Sequence, residues 1–312
     1  MSSIDLNALA AQLASQLSTP AEAERPTGHA GPTGTTPVSG AEAILAPPRG
    51  VTFAPADARL GDFLDHTLLR PDATLPDVER LCAEALAHRL AAVCVNPVWV
   101  PDCARLLRGS AVRLVTVIGF PFGATRSEIK AAEAALAVQE GAQELDVVVP
   151  LGALRNGEWE VVERDMAAVV RAAEGALVKV VLESALLTPF ELVTACLAAR
   201  DAGADYVKTS TGFHTAGGAT VETVALMRLA IGDTMGVKAS GGIRDGATAL
   251  AMLAAGATRI GTSAGPELAE VRGLGPRPLR ELLSRRTRAE RTTPVPSAAA
   301  AAVTAGASPT GY

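Results

Sequence analysis

Two lysines sit where an apolar run gives way to small hydroxyl residues and glycine. Lys208 lies in Gly203-Ala204-Asp205-Tyr206-Val207-Lys208-Thr209-Ser210-Thr211-Gly212-Phe213, and Lys238 in Gly236-Val237-Lys238-Ala239-Ser240-Gly241-Gly242. A lysine is almost never buried without a partner. At the end of a core strand it either reaches for a counter-ion or works as a nucleophile. A Schiff-base lysine must be neutral to attack a carbonyl, and both burial and a neighbouring cation favour the neutral amine. Lys238 can be that cation, which leaves Lys208 as the expected nucleophile. One such lysine reads more simply as a side chain that snorkels to solvent. The pair, each followed by a small-residue loop, reads as a site.

Asp146 stands inside the apolar run Glu144-Leu145-Asp146-Val147-Val148-Val149 and needs a partner there. It is expected either to move protons beside Lys208 and Lys238 or to pair with one of them, and the two roles are compatible. Lys179, in Val178-Lys179-Val180-Val181-Leu182-Glu183, reads as a structural partner for Asp146 or Glu183. Asp65, His66 and Thr67 end another short stretch, where local hydrogen bonding and a site role are evenly balanced. Cys94, in Val93-Cys94-Val95-Asn96-Pro97, reads as a small buried hydrophobe rather than a reactive thiol.

An anion signal lies in the last third of the chain. Gly241-Gly242-Ile243-Arg244 follows one apolar run and Gly261-Thr262-Ser263 follows the next. Glycines let backbone N–H groups approach an anion, and in (β/α)₈ barrels the loops after the last two strands often hold a phosphate. Alone, Gly-Gly marks a tight turn; two successive small-residue loops point to phosphate. His88 and His214 have no metal-ligand spacing, and no His-x-His, His-Glu-x-x-His or paired-Cys motif occurs, so no metal is expected.

Short apolar runs alternate with helical patterns and supply the elements that must hold these residues. Strands are expected at Phe63–Thr67, Ala91–Val95, Arg113–Ile118, Glu144–Val149, Leu177–Glu183, Asp205–Thr209, Val237–Ser240 and Thr258–Gly261. Helices are expected after Thr74, near Val98–Leu107, from a Thr125/Glu128 capping box to Gly141, over Gly157–Ala173, after Thr188, over Val221–Ile231 and after Asp245. This alternation predicts a (β/α)₈ TIM barrel. A register repeat supports it. Gly141-Ala142, Gly203-Ala204 and Gly256-Ala257 each end a helix, and five residues past the glycines stand Asp146, Lys208 and Gly261. Like turns would put these at one height, so Asp146 and Lys208 should point into one cavity.

The chain has 312 residues, 48% hydrophobic and 20% charged, with net charge −5. That balance argues against nucleic acid or an anionic membrane as partner. No apolar run is long enough to span a bilayer and no basic leader opens the chain. Cys82, Cys94, Cys103 and Cys196 read as reduced thiols of a cytoplasmic protein. Three regions are expected: an N-terminal extension over 1–55, a barrel over 56–290 and a disordered tail over 291–312. Ile4–Leu17 has weak helical periodicity, Thr19–Gly50 reads as a linker, order begins near Asp57, and a basic helix carrying Leu279, Leu282 and Leu283 precedes the tail.

Over about Leu60 to Gly265 the chain resembles the deoxyribose-phosphate aldolases, a class I aldolase family. The resemblance rests on Asp65-His66-Thr67, Cys94-Val95-Asn96-Pro97, Gly119-Phe120-Pro121-Phe122-Gly123, Glu144-Leu145-Asp146, Lys208 to Phe213, Lys238 to Arg244 and Arg259-Ile260-Gly261-Thr262-Ser263, in this order. It implies reversible cleavage of 2-deoxy-D-ribose 5-phosphate to acetaldehyde and D-glyceraldehyde 3-phosphate, without a cofactor. It implies Lys208 as the Schiff-base lysine, with Asp146 and Lys238 as the proton-transfer pair. It assigns phosphate to Gly212, Gly241, Gly242, Gly261 and Ser263, and Asp65 and Thr67 join the substrate-binding set. Ala264 departs from the pattern, since many members carry a second serine there. An aldolase for another phosphosugar and a non-catalytic phosphosugar-binding barrel are the alternatives. The lysine pair beside Asp146 argues against the second. Oligomeric state stays open, and a homo-oligomer is compatible with all of this.

Overall fold

Eight short strands, each set off by a turn signal, close into a parallel barrel. They are β1 (Leu64–Leu68), β2 (Ala92–Val95), β3 (Arg113–Ile118), β4 (Glu144–Val148), β5 (Leu177–Val181), β6 (Tyr206–Lys208), β7 (Gly236–Ser240) and β8 (Arg259–Thr262). Neighbours pair in chain order and β8 returns to β1, Asp65 lying opposite Gly261. The computed structural model describes residues 48–283 except residue 55. The expected helix over Ile4–Leu17, nearly all of the linker and the tail from 291 lie outside the described residues.

Helices α1 (Leu75–Ala87), α2 (Val100–Leu106), α3 (Ser127–Gln139), α4 (Leu151–Arg155), α5 (Trp159–Ala172), α6 (Pro189–Asp201), α7 (Val221–Ile231), α8 (Gly246–Ala255) and α9 (Gly265–Leu268) connect and follow the strands. Their starts obey local chemistry. Thr74 and Thr188 make capping boxes with Asp77 and Glu191, and Asp245 accepts from the Thr248 amide at 2.8 Å. Gly141, Gly203 and Gly256, at the helix ends, all have positive φ, as the repeat required.

Four expectations need correction. Thr125 and Glu128 make no capping box: α3 starts at Ser127, whose hydroxyl instead donates to Asp165 at 2.7 Å. The expected helix over Gly157–Ala173 begins only at Trp159, and a separate turn, α4, precedes it. The expected helix near Val98–Leu107 opens as a 3₁₀ turn over Pro97–Trp99. Order also begins before Asp57. Val51 is buried, and the Tyr206 hydroxyl donates to the Gly50 carbonyl at 2.5 Å.

Side chains on alternate strand positions face outward to the helices or inward to the barrel. The outward set, including Val93, Leu145, Val147, Val178, Val180, Val207, Val237 and Ile260, forms the large apolar core with the helices. Inward, one side of the barrel is apolar, with Ala92, Cys94, Val115 and Val117 packed together. The other side carries charge. Near its bottom Tyr206 fills the space left by Gly236, where a Cβ would lie 2.1 Å from the Tyr206 ring.

Candidate active site

Among the described residues, seven charged side chains project into the barrel from six strands, and each is at least nine-tenths buried: Asp65, Glu144, Asp146, Lys179, Lys208, Lys238 and Arg259. One Asp146 carboxylate oxygen, Oδ2, receives both reactive-lysine candidates. Lys208 Nζ is 2.8 Å from it and Lys238 Nζ is 2.7 Å away. The other oxygen, Oδ1, takes Lys179 Nζ at 3.0 Å. Asp146 and Lys208 therefore meet in the barrel interior as expected, but only Lys208 lines the cavity, and Asp146 lies fully buried beside it. Gly261, third in the repeat, points into the same space: a Cβ there would lie 3.2 Å from Lys238 Cε.

Lys179 pairs with Asp146, as expected, and also with Glu144 at 2.6 Å; Glu183 is not its partner. Glu183 instead accepts from the hydroxyl and amide of Thr211, at 2.5 Å and 3.2 Å, and so holds the loop after β6. Lys238 and Arg259 both form ion pairs with Asp65. Asp65 is fully buried and does not line the cavity, so its position is that of a partner to Lys238 rather than a substrate contact.

Charge states follow from these contacts. Burial alone would push Asp146 up, but Lys179, Lys208 and Lys238 outweigh it and hold the carboxyl well below the usual range. Burial would likewise lower Lys238, yet Asp146 and Asp65 outweigh it and keep the ammonium above the ordinary lysine range. These contacts favour the charged form of Lys238 beside Lys208. Burial pushes the Cys94 thiol up to about 11, which fits a packing residue rather than a nucleophile.

The cavity opens at the C-terminal end of the strands and encloses about 280 Å³. Lys208 stands on its floor, with Thr211, Gly212, Ser240, Gly241, Gly242, Gly261 and Ser263 around it and Thr67 at one side. Gly212, Gly241 and Gly242 all have positive φ, which glycine adopts at little cost. The β6 and β7 ends are stitched together here. Thr209 Oγ1 donates to the Ser240 carbonyl at 3.1 Å and Ser240 Oγ to the Ser210 carbonyl at 2.6 Å. Phe120 meets Phe213 edge-on, ring centroids 5.2 Å apart, between the loops after β3 and β6.

The sequence pattern brought Lys208, Asp146 and Lys238 together correctly and placed the five phosphate candidates on one cavity wall. It missed Glu144, Arg259, Arg70 and Arg244. The two interior residues carried a signal: Glu144 is two before Asp146 and Arg259 two before Gly261, so strand alternation puts them on the same face. Arg70 and Arg244 line the cavity rim from loops, where no periodicity announces them.

Residues 62–270 match the family described as DeoC/LacD family aldolase. A deoxyribose-phosphate aldolase of Brevibacillus brevis is 57% identical over 206 residues, covering 66% of this chain and 93% of its own. One from a Geobacillus species is 55% identical over 212 residues, covering 68% of this chain and 95% of its own. Among solved structures, the tetrameric deoxyribose phosphate aldolase of Aeropyrum pernix is 41% identical, with TM-score 0.64, covering 68% of this chain and 89% of its own.

Proposed function

The chain belongs to the DeoC/LacD aldolase family, and from that membership we propose that it is a class I deoxyribose-phosphate aldolase. It cleaves 2-deoxy-D-ribose 5-phosphate reversibly to acetaldehyde and D-glyceraldehyde 3-phosphate through a lysine Schiff base. The observation that carries the residue assignment is the shared Asp146 oxygen, with Lys208 on the cavity side and Lys238 sealed beneath.

The Lys208 amine adds to the C1 aldehyde of the open-chain sugar, and water leaves to give a cationic imine. That cation draws the C2–C3 bonding pair toward nitrogen. The C2–C3 bond breaks, the C3 hydroxyl loses its proton and becomes the carbonyl of the three-carbon product. The enamine then takes a proton at C2, and water hydrolyses the imine to release acetaldehyde and the free amine. Both proton movements occur beside Lys208, and the contact of Asp146 with both Lys208 and Lys238 supports a role for that pair in carrying them. The glycine walls of the cavity, with Ser263 and Thr67, take the phosphate end, and Arg70 and Arg244 add positive charge at the rim.

Two further parts of the proposal concern where the protein works and in what assembly. The four cysteines are free and buried, which supports a reducing cytoplasm. Phe122 is 77% exposed and Val98 71%, which together with the tetrameric relative supports a homo-oligomer. Among the described residues no helix is long and apolar enough to cross a membrane.

Hydride reduction in the presence of acetaldehyde tests the central assignment. It should convert one lysine to its N-ethyl form, on the peptide carrying Lys208. An adduct on Lys238 with none on Lys208 would overturn the assignment.

A further inference from the structure

Six of the seven interior charges close a ring. Asp65 pairs with Lys238, Lys238 with Asp146, Asp146 with Lys179, Lys179 with Glu144, Glu144 with Arg259, and Arg259 with Asp65. Anions and cations alternate throughout, three of each, so the ring is neutral. Arg259 uses Nη2 toward both Glu144 oxygens, at 3.0 Å each, and Nε toward Asp65. Lys208 is the odd member. It hangs from Asp146 alone, outside the ring and facing the cavity.

We propose that Glu144 and Arg259, neither of which lines the cavity, are positioning residues that set the pH at which Lys208 becomes nucleophilic. This rests on the aldolase reading and deepens it. Their work is electrostatic and remote. Glu144 fixes Lys179 on Asp146, Arg259 fixes Asp65 on Lys238, and together they keep the net charge beneath Lys208 at zero. With the ring neutral, a protonated Lys208 is a surplus buried cation and the free amine leaves the interior balanced. The other titratable and charged groups of the described barrel interior are Asp65 on β1, Cys94 on β2, Glu144 and Asp146 on β4, Lys179 on β5, Tyr206 on the strand of Lys208, Lys238 on β7 and Arg259 on β8, with Arg70 and Arg244 on the cavity rim. Beyond β5, Glu183 is engaged with Thr211.

The consequence is a pair of opposite effects from neighbours that touch each other. Arg259→Gln leaves the ring one charge negative, which favours the protonated amine. Glu144→Gln leaves it one charge positive, which favours the free amine. N-ethyl adduct formation at Lys208, read by mass spectrometry with acetaldehyde and cyanoborohydride across pH, reports this directly. The midpoint should move up by about one pH unit in Arg259→Gln and down by about one in Glu144→Gln. The Glu144→Gln/Arg259→Gln double variant is neutral again, and its midpoint should return to that of the wild type. A merely structural role predicts slower trapping in all three variants with an unmoved midpoint, and that result overturns the proposal. Should one single variant fail to fold, the other decides: a midpoint displaced in its stated direction supports the ring, and an unmoved midpoint, or failure of both to fold, rejects it. A wild type that forms no Lys208 adduct removes the aldolase reading itself, which keeps the two failures apart.

Discussion

Lys208 and Lys238 differ in what surrounds them more than in what they are. They are register partners on adjacent strands and share one carboxylate oxygen, yet only Lys208 of the two reaches the cavity. Lys208→Leu should therefore abolish hydride trapping with acetaldehyde. Lys238→Leu should retain slow trapping, with its midpoint moved to higher pH, because a cation that disfavours a second cation has gone. Trapping by Lys238→Leu at an unchanged midpoint would remove Lys238 from that role. Gly242 offers a separate test. Its φ is +80° and a Cβ added there would meet no atom within 4 Å, so Gly242→Val acts through backbone strain rather than collision. The loop should then turn its N–H groups away from the proposed phosphate position. KM for the phosphorylated substrate should rise about tenfold, the equivalent of roughly 1.4 kcal/mol, with little change for free deoxyribose. Equal effects on both substrates would count against the phosphate wall.

At the scale of elements, two helix starts illustrate cheap and costly anchoring. Thr188 caps α6 at the surface and accepts from the Glu191 amide at 3.3 Å. Thr188→Ala should cost about 1 kcal/mol in urea unfolding and leave kcat unchanged. In the first turn of α3, Lys130 is fully buried. It donates to Asp165 and to the Val148 carbonyl, each at 2.8 Å. Lys130→Met leaves the buried Asp165 carboxylate with the Ser127 hydroxyl but without its counter-ion and should cost about 3–5 kcal/mol by the same measurement. Its stem also lies against Gly119, where a Cβ would be 3.0 Å from Lys130 Cε. The same substitution should thus loosen the loop that carries Phe120 and lower kcat as well. Unchanged kcat in a folded Lys130→Met protein would separate that loop from the chemistry.

For the whole molecule the buried carboxylates set an acid limit. Asp65, Glu144 and Asp146 all have pKa values held below their ordinary 3.8 or 4.5, because the interior cations outweigh burial. A depressed pKa contributes stability that is present above the unfolded-state value and lost as pH falls through the folded-state value. Stability should be steady down to about pH 5 and then fall steeply. A thermal-melt series in acid checks this, and a flat profile below pH 4 would contradict the ring's charge states. The chain ends give a second test. The barrel closes within residues 48–283, so removing 1–47 and 284–312 should leave activity within a few-fold. Extending the cut through Val51 removes the carbonyl that Tyr206 donates to and a buried side chain, and should lower the melting temperature. Equal melting temperatures for the two truncations would show that residues 48–51 contribute nothing.

The alternation of strands and helices was legible because it is local. Apolar runs, caps at Thr74, Thr188 and Asp245, and the Gly-Ala turns each act within a few residues of themselves. So was the common height of Asp146, Lys208 and Gly261, since equal offsets from equal turns survive folding. The failures were also physical. Thr125 and Glu128 have capping chemistry, but Ser127 is claimed by Asp165, 38 residues away. Asp65 sits in a site motif, yet closure of β8 onto β1 buries it between Lys238 and Arg259. The alternating ring joins positions as far apart as Asp65 and Arg259, 194 residues along the chain. Pattern alone determined which residues face inward; only the closed barrel decided which charges meet, because that depends on the register in which distant strands come together.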